Sequence, residues 1–124
     1  MITALYATIC AGILMQLAMN VIKFRRKYRV SLGGGDVEEL EAAIATHSNA
    51  SEYIPISLIL LFFLEVNEAS LWLVNIFGII LIAGRCFHAY GMLNKLSARV
   101  LGMQLTIYNI MAMGVVNLIV LALL

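Results

Sequence analysis

Six residues of this 124-residue chain could do chemistry, and they lie in or against stretches that would otherwise dissolve in lipid. Asn49, Glu52 and Tyr53 cluster in one apolar stretch, Arg85 and His88 in the next, and Arg99 heads the last. A charge at the centre of a spanning helix costs roughly 2.5–3.5 kcal/mol on insertion scales, so it faces a partner or a wet cavity. Such a set has three uses. Glu52 and Arg85 can pair and hold two helices together. Glu52 can carry protons, as in small four-span transporters. Or the whole set can line a cleft for a charged ligand at the membrane.

The elements that must position these groups are helices. Hydrophobic residues make up 63% of the chain and charged residues 12%, which excludes an ordinary soluble domain; the net charge of +1 says nothing about partners, and no nucleic-acid partner is expected. At about 20 residues per crossing, the length allows one domain and at most about four or five spans. Helices are expected over residues 1–24, 37–65, 70–93 and 99–124, forming a single all-α integral-membrane bundle that fills residues 1–124. The first apolar run is too long for a cleavable signal and lacks a positive leader, so it reads as a span. Asp36 is the expected N-cap of the second helix, with Glu38, Glu39 and Glu41 in its first turns. Pro55 sits inside that helix and should bend it. Cys10 and Cys86 read as small core residues, and no ligand spacing suggests a metal.

Orientation follows from basic residues. Lys23, Arg25, Arg26, Lys27 and Arg29 occupy the first loop, Lys95 and Arg99 the third, and none the second. The positive-inside rule puts loops one and three in the cytoplasm and both termini outside. The run Lys23–Arg29 also suits phospholipid headgroups.

At about 100° per residue, Glu41, Ala45, Ser48 and Glu52 share a stripe on the second helix, flanked by Asn49 and Tyr53. Arg85, His88 and Met92 share a face of the third, and Arg99, Met103 and Thr106 a face of the fourth. Three polar stripes thus gather at the cytoplasmic ends, with Glu52 and Arg85 expected to pair.

The run Asn49-Ala50-Ser51-Glu52-Tyr53-Ile54-Pro55 resembles the second-helix signature of the MAPEG family, membrane-associated proteins in eicosanoid and glutathione metabolism. The segment Gly84-Arg85-Cys86-Phe87-His88-Ala89-Tyr90-Gly91 and the later Arg99 match in order and spacing. Loop one, Arg29 to Asp36, is similar to that of a bacterial branch of the family. The likeness covers essentially the whole chain.

This resemblance implies a homotrimer in the bacterial inner membrane that binds glutathione between subunits near the cytoplasmic face. It implies a transferase or peroxidase acting on small hydrophobic electrophiles or lipid hydroperoxides, with Arg99 stabilising the glutathione thiolate. Asn49, Glu52, Tyr53, Arg85 and His88 become tripeptide contacts, and Lys23 or Arg26 would reach a neighbour's site. Glutathione offers two carboxylates for arginine or lysine and an ammonium for Glu52. The family also contains non-catalytic lipid- or glutathione-binding members. The chain departs from the pattern at Ala45 and Ser48, where arginines are usual, and at Met92 and Met103, where tyrosines occur.

Overall fold

The computed structural model describes all 124 residues as four helices. They are α1 (Ile2–Tyr28), α2 (Glu38–Val66), α3 (Leu71–Leu93) and α4 (Leu96–Leu123), each long and apolar enough to cross a membrane. α2 and α3 each touch all the other helices except that α1 and α4 do not meet.

Three helix ends differ from the sequence expectation. α1 continues one turn past residue 24, because Arg25, Arg26 and Lys27 are good helix formers that also suit the negative end of the helix dipole. It stops at Arg29, which turns left-handed (φ 55°) while Val30 N–H bonds Arg25 O at 3.1 Å. α4 begins at Leu96 instead of residue 99, leaving only Asn94 and Lys95 between helices and putting Arg99 inside the first turn. Asp36 is not the N-cap of α2. It takes φ 58° in the loop, and Val37 holds the cap position with no side-chain bond. The acidic residues Glu38, Glu39 and Glu41 do occupy the first turn. α2 runs unbroken through Pro55.

Lipid gives helices little hydrophobic reason to associate, so close packing and hydrogen bonds must hold them. The α3–α4 seam supplies the packing. Gly91 lies against the backbone of Arg99, Gly102 against that of His88, and a Cβ on Gly84 would stand 2.9 Å from Thr106 Oγ1. Asparagines supply the bonds. Tyr6 Oη donates to Asn75 Oδ1 at 2.9 Å, Asn109 Nδ2 to Phe77 O at 3.1 Å, and Asn117 Nδ2 to Leu60 O at 3.1 Å. At the opposite end from the arginines, Glu65 accepts the backbone N–H groups of Ile2 (2.5 Å) and Thr3 (2.7 Å). It thereby caps α1, whose own first residues offer no side-chain cap.

Apolar contacts fall into two clusters. Tyr6, Leu61, Leu64, Val74, Phe77 and Met113 pack at the Glu65 end, and Cys10, Leu17, Ala50, Ile54 and Leu81 sit nearer the middle. Cys10 is buried as expected, but Cys86 is exposed on the outer side of α3. Only 24 of 124 residues are buried, so most of the apolar surface faces outward, as a bundle bathed in lipid requires.

Candidate functional site

The cavity that gathers the polar residues lies between α2, α3 and the first turns of α4. It has a volume of about 570 Å³ and is open to the outside of the bundle. Asn49, His88, Arg99 and Gln104 supply its charge and hydrogen-bonding capacity, and Met92, Val100, Met103 and Ile107 its apolar wall. The glycine seam brings them together. Because Gly91 and Gly102 let α3 and α4 touch backbone to backbone, Arg99 is carried to the turn facing His88.

Asn49 is the pivot of this arrangement. Its Oδ1 accepts from Arg85 Nη1 at 2.8 Å, and its Nδ2 approaches Met103 Sδ at 3.8 Å, linking α2 to both α3 and α4. Arg85 is 2% exposed, and its guanidinium carbon stands 5.8 Å from the Tyr53 ring centroid, a cation–π distance. Its Nε and Nη2 have no acceptor within the chain. The exposed Arg99 on the cavity wall can meet an anion directly, and the Arg85 guanidinium adds positive potential from behind it.

The expected Glu52–Arg85 ion pair is not formed. Glu52 is exposed on the adjoining side of α2 and makes no ion pair, whereas Arg85 turns to Asn49. The reason is angular. Asn49 and Tyr53 are one helical turn apart and face α3, while Glu52 lies about 60–100° round the helix from both. The stripe it belongs to, with Glu41, Ala45 and Ser48, is exposed along its length.

The basic residues of α1 also stand apart from the cavity. Lys23 Nζ lies 5.6 Å from the centroid of the Phe24 ring, and Arg26 lines a separate cavity with Arg25 and Arg29. Within one chain, then, Asn49, His88 and Arg99 share the cavity. Arg85 and Tyr53 stand behind it, and Glu52, Lys23 and Arg26 lie outside. One polar lining residue escaped the sequence reading. Gln104 joins Val100 and Ile107 on the exposed face of α4. Its polarity inside an apolar run and its i+4 spacing from Val100 were the available signals.

Comparison with known proteins identifies the family. The MAPEG family pattern matches residues 3–119. The chain is 44% identical over 119 residues to the inner membrane protein YecN of Escherichia coli (strain K12), covering 95% of this chain and 91% of the relative. The same figures hold for YecN of Escherichia coli O6:H1 (strain CFT073). A match across nearly the full length, at that identity and through the Asn49 and Arg85–His88 segments, is a family relationship. This four-helix membrane protein belongs to the MAPEG family.

Proposed function

We propose that the protein is a glutathione-dependent transferase or peroxidase of the bacterial inner membrane, acting on small hydrophobic electrophiles or lipid hydroperoxides. The observation that carries the reading is the sharing of one cavity by Arg99, His88 and Asn49, with Arg85 buried behind them. At about 570 Å³ the cavity is of the size that takes small ligands.

Glutathione would enter with its carboxylates toward the guanidinium groups. Arg99 stabilises its thiolate, since a cation beside a thiol lowers the thiol's pKa. The thiolate then attacks an electrophilic carbon and expels the leaving group. With a hydroperoxide it attacks the distal oxygen, giving an alcohol and a sulfenate that a second thiol converts to disulfide. The apolar wall of Met103, Val100 and Ile107 holds the second substrate.

The functional unit is a homotrimer with both termini periplasmic. Its support is the exposed stripe Glu41–Ala45–Ser48–Glu52, because a carboxylate left facing hydrocarbon is costly and a neighbouring copy would cover it. Lys23 of one copy then reaches the cavity of the next, where Glu52 meets the glutathione ammonium.

One observation favours a second reading, a binding protein without turnover. Ala45 lines the cavity at a position where the resemblance leads one to expect an arginine, and Ser48 lies on the same face, so two anchors for carboxylates are lost. No observation favours the transporter reading, since Glu52 lies outside the cavity.

Calorimetric titration of glutathione into the detergent-purified protein, with ultraviolet difference absorbance at neutral pH, tests the proposal. Binding with a thiolate signal is expected. Binding without that signal selects the non-catalytic reading, and no binding overturns both.

A further inference from the structure

We infer that His88, Met92 and Met103 form a binding site for a soft monovalent metal ion, Cu(I), in the cavity between α2, α3 and α4. Histidine, cysteine and carboxylate side chains by themselves form no cluster that could hold an ion. Thioether sulfur is also a ligand, and two thioethers with one imidazole line this cavity. The expectation that no spacing suggests a metal left methionine out of the donor set.

His88 and Met92 are one turn apart on α3, about 40° round the axis, so both project to the same side. Met103 comes from α4, where the neighbouring Gly102 lies against the backbone of His88. That glycine contact brings the third donor to the other two. Asn49 Nδ2 lies 3.8 Å from Met103 Sδ, so the sulfur faces the polar side of the cavity. Met92 also borders a second cavity of about 510 Å³ toward α1, which leaves its flexible chain room to turn. His88 is 5% exposed and its ring makes no hydrogen bond, although buried polar groups ordinarily have partners. A ligated ion satisfies it. All three donors belong to one chain, so each subunit of an assembly carries the site.

The donor set selects the ion. No carboxylate lines the cavity, which disfavours calcium, magnesium and manganese. Methionine is not among the ligands that zinc takes, whereas soft thioether sulfur suits Cu(I). Arg99 on the cavity wall and Arg85 behind it oppose a bare cation. The fourth position, open to the cavity, therefore takes an anion, and the soft anion is a thiolate. That fourth ligand rests on the glutathione reading; the three protein donors do not.

Titration of the detergent-purified protein with Cu(I) against the chelator bicinchoninate, in the absence of oxygen, provides the test. One ion per chain is expected. Met92→Leu with Met103→Leu keeps the apolar volume. It should weaken binding by more than about a hundredfold, because loss of even an outer partner of a metal ligand costs roughly 10–100-fold. Met15→Leu with Met19→Leu removes two exposed methionines of α1 and should bind as the wild type does. X-ray absorption of the loaded protein should show one nitrogen and two thioether sulfurs, with a third sulfur once glutathione is added. Wild-type affinity in the variant lacking Met92 and Met103 would overturn the site. So would loss of binding in Cys86→Ser, which would assign the ion to the exposed thiol. Loading of one ion per chain without the third sulfur would overturn the thiolate and leave the three protein donors standing.

Discussion

Arg85 Nη1 of α3 donates to Asn49 Oδ1 of α2 at 2.8 Å, and that amide also approaches Met103 Sδ of α4 at 3.8 Å. A single uncharged side chain therefore fixes a buried cation and sets the spacing of the three helices that enclose the cavity. It does so without neutralising the cation. Two Arg85 donor atoms, Nε and Nη2, stay unpaired in the buried space behind the cavity.

Asn49→Ala should leave the guanidinium without its side-chain acceptor, keeping only the longer bond to the Asn49 backbone carbonyl at 3.4 Å, and cost about 1–3 kcal/mol. In a double-mutant cycle of thermal stability, Asn49→Ala and Arg85→Met should be strongly non-additive. Glu52→Gln and Arg85→Met should add in the dissociated chain, since these two residues do not touch. Coupling of Glu52 to Arg85 in monomeric protein would contradict the geometry.

The glycines of the α3–α4 seam should be intolerant. Gly102→Ala and Gly91→Ala each drive a methyl into facing backbone and should cost several kcal/mol, read as loss of the folded band in a denaturant titration. Gly12→Ala and Gly114→Ala meet nothing within 4 Å and should be neutral or stabilising by up to about 1 kcal/mol. Equal effects at all four positions would show that the helices do not meet along this seam.

Glu65→Ala removes the acceptor for two backbone donors at the start of α1 and should cost about 1–2 kcal/mol, as loss of an N-cap does. Glu65→Gln keeps an acceptor oxygen and should cost less. Hydrogen exchange at Ile2 to Leu5 reads the fraying directly.

Arg99→Ala should lower glutathione-dependent kcat with a model electrophile by more than tenfold and change glutathione affinity less, the mark of an interaction made mainly in the activated state. Asn49→Ala should chiefly weaken binding. Ala45→Arg with Ser48→Arg should tighten it. No gain from that pair would mean the missing arginines do not limit affinity.

Reporter fusions in Ser31–Gly35 should report the cytoplasm, and fusions in Glu65–Ala69 or at Leu124 the opposite side. A cytoplasmic fusion signal at Leu124 would reverse the placement of the candidate site.

The four helices and their order could be read from the chain directly, because about 20 apolar residues must form a helix to satisfy their backbone groups in lipid. The residue types at Asn49, Arg85, His88 and Arg99 were legible for the same reason, since polarity is conspicuous against such a background. Helix geometry at 100° per residue also placed His88 with Arg85 and Arg99 with Met103. What it could not decide was which flank of each stripe turns toward the neighbouring helix. Glu52 and Asn49 lie on adjoining sides of α2, and charge alone favoured Glu52 as the partner of Arg85. Tertiary packing gave the place to Asn49. The α3–α4 seam is set by glycines whose absent side chains leave no hydrophobic pattern, and it governs the rotation of α3 and α4 against α2. The helix ends at Arg29 and Leu96 were likewise decided in three dimensions. One rests on a left-handed turn and the other on the contact of Gly91 with Arg99, and neither has a signature in hydropathy.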